Sequence, residues 1–527
     1  MTEFRIKSAP WPSATFTATV TPATPLRGIN LLQHTHMRLC EAEQLWQHRK
    51  FDPAQKICES LIREHPAYMA AHHMLGLIHG AKKDHDRAFD HLSRAAMLNP
   101  RSWATLTALG GVCLELQAND MAALILEQAR AIRPRDANVL MTLGRVYSEE
   151  REYERAKEAF REALALKDDF HAIMALAFVC RELGQNAEAA EVYKSLIKRG
   201  MSTLEVLFGL ANVPSACVNV DLLAELEKLP RDQTGGTREF DELAAFVRAT
   251  ALDKAGRHAE AWQHLAQVNR AIFLAIQEIF REGSERQNAA LTTLQGDSIK
   301  AVSDSLDNRQ PISLFILGPS RCGKSTMEQL VATLDGVKRG YENQSVGKAI
   351  RRTFQSARLL TSDRIGLLPP QLYPQCRDIY LEELTQRVGS ARVFTITSAP
   401  YIHEAQLIAS VFPNVRFIFL KRNVKDNILR MYQKKYRRGK NVYSYDLKAA
   451  RDHVAWYLQM MELMAKKFPD IVRIINYEDM VANPAAAVRV AANLCDLSQP
   501  DGPLPEVGDD RGCAEPYHDF IRAELNR

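Results

Sequence analysis

The chain has 527 residues, too many for one hydrophobic core, so two or more domains are expected. Apolar residues at 46% and charged residues at 25% are ordinary for a globular protein. The formal net charge of +5 is small for this length, so no nucleic-acid partner is implied and any basic function must come from local clustering.

The nine cysteines are scattered, with no C-x-x-C pair, and no histidine cluster completes a zinc pattern. They read as reduced thiols of a cytoplasmic protein, and no metal is expected. No apolar run approaches the ~18 residues of a membrane span. Residues 1–30, rich in Thr, Ala and Pro without a continuous apolar stretch, read as a disordered leader rather than a signal peptide.

A repeat follows. Leu75-Gly76, Ala88, Ala95 and Pro100 return 34 residues later as Leu109-Gly110, Ala122, Ala129 and Pro134. They return again as Leu143-Gly144, Ala156 and Ala163, now with Tyr147 and Phe160. Period and residue types are those of the tetratricopeptide repeat. Small residues let the two helices of a repeat approach, large ones fill the groove between neighbours, and Pro ends the second helix. A weaker copy with Ala54 and Pro66 precedes, and one shortened by a residue, with Ala189 and Tyr193, follows. Past a break at Thr234–Thr237, Phe246–Asn269 reads as a further helical pair turning at Gly256 and touching at Ala261. An all-α solenoid is therefore expected over about 31–290. Such a surface suits a protein partner or an acceptor; the alternative is that it only dimerises or braces its neighbour.

The second domain is placed at 305–527. Pro311–Leu317 is an apolar run without helical period, expected as a buried parallel strand. It leads into Gly318-Pro-Ser320-Arg321-Cys322-Gly323-Lys324-Ser325-Thr326 and then a helix. Strand, glycine loop and helix N-terminus make a phosphate cradle, to which Lys324 and Arg321 add charge; the spacing satisfies G-x-x-x-x-G-K-[ST]. A magnesium nucleotidase also needs a strand ending in Asp. The strand Val415–Leu420 ends instead in Lys421-Arg422-Asn423, and Val393–Ile396 ends in Thr397-Ser398. Arg422 points to a second anion rather than a metal. Within the basic stretch Lys421–Lys440, the run Lys434–Lys440 reads as a solvated helix end and loop, with steering of an anionic donor or a polyanionic acceptor as the alternative.

These residues resemble the sulfotransferase family. The loop Gly318–Thr326 is similar to its 5′-phosphosulfate loop. Phe412-Pro-Asn-Val-Arg-Phe-Ile-Phe-Leu-Lys-Arg422 is similar to its second strand, and Asn476-Tyr-Glu-Asp-Met-Val-Ala-Asn-Pro484 to its R-Y-E-D-L-V-A-D-P segment. Repeats followed by such a domain resemble the bacterial tetratricopeptide-repeat sulfotransferases. The resemblance implies an α/β P-loop-like domain with a central parallel sheet. It implies transfer of a sulfuryl group from 3′-phosphoadenosine 5′-phosphosulfate to a hydroxyl or amine, without a metal. It assigns Gly318, Ser320, Arg321, Cys322, Gly323, Lys324, Ser325 and Thr326 to the phosphosulfate, and Arg422 with Arg430 to the 3′-phosphate. Glu342, or else His403, would be the base, and Lys324 would stabilise the leaving phosphate. The chain departs from the family pattern at Lys324, at Arg430 where a Ser is usual, and at Thr397-Ser398 where an Asp-Lys pair is usual. An ATP- or GTP-dependent kinase and a catalytically silent nucleotide-binding scaffold are the alternatives. The acceptor, whether protein, glycan, lipid or small molecule, is not legible; Glu515-Pro-Tyr-His518 is a candidate to return toward the site.

Overall fold

A computed structural model describes residues 28–229, 238–296, 310–437, 439, 441–499 and 502–526. The leader up to residue 27, the break at Thr234–Thr237, and Arg438 and Lys440 of the basic stretch lie outside the described residues. By compactness the chain divides between Pro134 and Arg135.

The first unit contains helix pairs Gly28–Gln47 with Phe51–Glu64, Met69–Ala81 with His85–Leu98, and Trp103–Glu115 with Asn119–Ile132. Its first helix begins three residues inside the segment read as leader. The repeat residues do what their size dictates: Ala54, Ala88, Ala95, Ala122 and Ala129 are wholly buried. Gly76 lies under Leu92 and Gly110 under Leu126, where an added Cβ would come within 2.5 Å of the Leu126 Cγ.

The second unit opens with the pairs Ala137–Glu149 with Tyr153–Leu166 and Phe170–Glu182 with Asn186–Lys198, then Leu204–Ala211 and Leu222–Glu227. Arg238–Lys254, His258–Ala275 and Gln277–Gln295 complete the helical series. The turn inside each pair carries a left-handed residue: Arg49, Lys83, Gln117 and Arg151, each 34 apart, then Gly184 after 33. The backbone thus records both the repeat and the lost residue. Four of these five positions are not glycine, so composition does not reveal them.

The same unit holds a five-stranded parallel sheet: β1 Ile312–Leu317, β2 Val337–Lys338, β3 Val393–Ile396, β4 Val415–Lys421 and β5 Val472–Asn476. The spatial order is β2-β3-β1-β4-β5. β1 and β3 are buried along their whole length, as central strands covered on both faces must be. β1 lies between β3 and β4, with Leu317 beside Phe419. The C-terminal ends of these strands are where an open α/β sheet places its ligand.

The last repeat helices share a core with the α/β domain. Phe246, Trp262, Leu265 and Ile272 pack with Leu429, Tyr432, Tyr517 and Ile521. The Asn269 side-chain amide donates to the Tyr432 carbonyl at 2.8 Å.

Candidate functional site

The loop after β1 is shaped by two glycines. At Gly318 an added Cβ would approach the Leu420 carbonyl oxygen to 2.6 Å, so only glycine lets β1 and β4 leave the sheet side by side. Gly323 has φ +100° and caps the helix Lys324–Val331; its Cβ would meet the Tyr477 ring at 2.6 Å. Arg321 is also left-handed, at φ +65°, and its side chain is exposed. The helix N-terminus opens with exposed Ser325 and half-buried Thr326. Lys324 is folded back, donating to the carbonyls of Gly318 at 3.0 Å and Pro319 at 2.9 Å. Ser320 bonds the Tyr436 hydroxyl at 2.9 Å. Cys322 is wholly buried against Gly318, and burial pushes its thiol up, so it fills space rather than reacting.

Arg422 lies where β4 ends, next to that loop. Its Nη1 donates to the Arg321 carbonyl at 3.1 Å, and its guanidinium lies 4.4 Å over the Tyr477 ring. Arg430 stands on the following helix, Val424–Tyr432. The two arginines converge on one partner that the sequence did not single out, Asp510. Arg422 Nη2 donates to its carboxylate at 2.9 Å, and Arg430 Nε does so at 2.9 Å. Burial alone would raise Asp510; the bonds from Arg430 and Arg422 outweigh it and hold the carboxyl below its ordinary value. The tail therefore returns through Asp510. Glu515–His518 lies against the helix that carries Arg430: His518 Nδ1 is 3.3 Å from Lys425 Nζ, and Tyr517 is buried, its hydroxyl bonded to Asp253 of the repeat helix Arg238–Lys254 at 2.6 Å.

Glu342 is on the loop after β2. Its side chain is 62% exposed and lies 4.0 Å from Arg151, at a repeat turn. A second unanticipated residue, Glu328, builds this loop. It is 1% exposed and accepts from the Tyr341 amide at 2.9 Å, from Thr395 Oγ1 at 2.5 Å and from Arg339 Nη2 at 3.3 Å. Burial pushes its carboxyl up, against these bonds. Tyr341 donates its hydroxyl to Glu154 at 2.8 Å and meets Tyr153 edge-on, so repeat helix Tyr153–Leu166 braces the loop bearing Glu342.

His403 is in the turn after β3, stacked on Trp456 at 4.8 Å; its Nδ1 has no partner among the described residues. Burial, then Arg286 and Arg364, pushes it down to about 4, which makes it a poor base near neutrality. His453 lies within electrostatic reach of both Lys324 and His403 and is pushed down to about 3 by burial. Thr397 and Ser398 are buried at the end of β3.

The basic stretch is solvated in part: Lys421, Lys425 and Arg437 are exposed, whereas Lys434 and Lys435 are half-buried. Lys435 pairs with Glu242 at 3.5 Å and Arg437 with Glu149 at 3.7 Å, both repeat residues. Lys434 is pushed down to about 8 by burial and then by neighbouring Arg321 and Arg181. No group of three or more metal-ligating side chains occurs among the described residues.

Residues 311–501 match the model of the sulfotransferase family, and 41–102 and 141–202 match a tetratricopeptide-repeat model. The α/β domain belongs to the sulfotransferase family. Its boundaries take in the glycine loop, Glu342, His403, Arg422 and Arg430 but stop short of Asp510. An uncharacterized protein of Aquifex aeolicus (strain VF5) is 20% identical over 356 residues, 66% of this chain. The chain spans 45% of that relative's length. Among solved structures, Pseudomonas aeruginosa pilF is 18% identical with a TM-score of 0.36, covering 40% of this chain and 97% of its own. A thermophilic tetratricopeptide-repeat protein of Thermus thermophilus is 23% identical with a TM-score of 0.30, covering 34% and 98%. Beside the sulfotransferase-family domain, no helix among the described residues is long and apolar enough to cross a membrane.

Proposed function

We propose that this chain transfers a sulfuryl group from 3′-phosphoadenosine 5′-phosphosulfate to a hydroxyl or amine. The observation that carries the reading is the bond from Arg422 at the end of β4 to the carbonyl of Arg321 in the loop after β1. It sets a nearly buried guanidinium beside a phosphate cradle, where a nucleotide with anions at both ends would bind. The amides from Gly323 to Thr326 and the cations of Lys324 and Arg321 would hold the 5′-phosphosulfate, and Arg422 with Arg430 the 3′-phosphate.

Transfer breaks the sulfur–oxygen bond to the 5′-phosphate and forms one to the acceptor. Charge grows on the leaving phosphate oxygen, where the helix N-terminus and Lys324 stabilise it. Lys324 must first leave the two loop carbonyls it holds. Glu342 takes the acceptor proton, leaving a sulfate ester or sulfamate and adenosine 3′,5′-bisphosphate. Glu342 suits this role better than His403, because it is accessible and His403 is buried and weakly basic. The Arg151 and Glu154 contacts support a role for the repeats in presenting the acceptor or a partner. Nine free thiols support a reducing compartment such as the cytoplasm.

Calorimetry tests the donor. Adenosine 3′,5′-bisphosphate is expected to bind at least about tenfold more tightly than ATP with magnesium, because ATP lacks the 3′-anion. Tighter ATP binding with magnesium-dependent turnover would instead establish a kinase.

A further inference from the structure

Resting on the donor reading above, we infer that Asp510 is a resident occupant of the 3′-phosphate pocket, a built-in carboxylate that the donor must displace. Both carboxylate oxygens are used: Oδ1 by Arg430 Nη2 at 2.5 Å and Oδ2 by Arg422 Nη2 and Arg430 Nε, each at 2.9 Å. Arg422 Nη2 also holds the Asp510 backbone carbonyl at 2.5 Å. Yet Arg422, with a side chain only 4% exposed, keeps its Nε without a partner among the described residues. A carboxylate has no third oxygen to offer that donor; a phosphate has. A phosphate also brings close to two negative charges to two guanidinium groups, where Asp510 brings one. Asp253, 3.8 Å from Arg430, supplies only a looser second charge.

The tail is built to carry such an occupant. Asp426, buried on the helix after β4, accepts the amides of Gly512 at 2.8 Å and Ala514 at 2.9 Å. Gly512 has φ +71°, a left-handed bend between that anchor and Asp510. Residues 509–511 can therefore leave the arginines while the chain from Gly512 onward stays fixed. Asp510 pairs buried Arg422 and half-buried Arg430, and it sets a threshold that a ligand without a 3′-phosphate does not cross.

The test compares adenosine 3′,5′-bisphosphate with adenosine 5′-monophosphate, which differ only in the 3′-phosphate. Calorimetry is run on the full chain and on Asp510→Asn and Asp510→Ala, with thermal melts to establish folding. The ratio of the two dissociation constants is expected to rise at least about tenfold in the variants, with monophosphate affinity little changed. A ratio above one that is the same in all three proteins, or that falls in the variants, overturns the occupant and leaves the donor reading standing. A ratio of one in all three overturns both. On the unaltered chain, amide exchange at Asp510 and Arg511 is expected to speed up with the bisphosphate and not with the monophosphate. Slower or unchanged exchange with saturating bisphosphate would overturn the displacement, whatever the variants' stability.

Discussion

Replacing Glu150 with Gln should loosen the repeat helices from the α/β domain. Glu150 follows the repeat helix Ala137–Glu149, and its side chain is 9% exposed. One of its oxygens bonds both Lys348, on the helix Ser345–Ser356, and Arg387, on the helix Tyr373–Val388, the latter at 2.7 Å. Lys348 is 7% exposed and Arg387 13%. Glutamine keeps the shape and removes the charge, leaving two buried cations facing a neutral amide. Breaking a buried ion pair from one side costs about 3–5 kcal/mol, because the remaining charge stays desolvated. At about 2–4 °C per kcal/mol for a large cooperative unit, the melting midpoint should fall by roughly 6 °C or more. Replacing all three residues with apolar ones of similar volume should recover most of that loss, since three desolvation penalties vanish with the cluster. Differential scanning calorimetry of the single and triple variants decides it. A single variant within about 1 kcal/mol of the parent would mean that water reaches the cluster and the argument from burial fails.

Glu342→Gln should abolish sulfuryl transfer while leaving bisphosphate affinity within about twofold and stability within about 0.5 kcal/mol, because the side chain is mostly exposed. Equal loss of binding and turnover would remove it as the base. Gly323→Ala puts a side chain at φ +100° and 2.6 Å from Tyr477. It should cost about 2–4 kcal/mol from left-handed strain and overpacking together, read by denaturant unfolding, and should abolish nucleotide binding. His453 and His403 are pushed down to about 3 and about 4 when folded and return to about 6.5 when unfolded. Between those values the unfolded chain binds more protons, so their contribution to stability is present above about pH 6.5 and is lost progressively as pH falls toward 4. Melts from pH 7 to 4 should show a smaller drop in His453→Gln than in the parent; equal slopes would show that the imidazole is already charged in the folded state.

Local pattern carried much of this protein into view. The repeat phase is legible because every helix pair meets the same steric demand, so Gly and Ala recur where backbones touch. The loop Gly318–Thr326 is legible because its glycines answer torsion and close approach within nine residues. Arg422 is legible because it follows an apolar run at a fixed place. Three features escaped. The left-handed turns at Arg49, Lys83, Gln117 and Arg151 are held by helix packing rather than by glycine, so no residue type marks them. Glu328 looks like any polar helix residue until the loop of Tyr341 and the strand of Thr395 close over it. Asp510 stands 88 positions from Arg422 in a stretch without periodicity.

What the sequence determined by itself is therefore the repeat helices, the central strands and the glycine loop between strand and helix, since these follow from backbone geometry over a few residues. What tertiary structure alone decided is which charges face each other: Glu150 with Lys348 and Arg387, Arg151 with Glu342, and Asp510 with the two arginines. Those pairings arise only when the order β2-β3-β1-β4-β5 and the packing of the repeats bring distant segments together. Coulomb energy depends on separation and burial in space, and neither is written in the spacing along the chain.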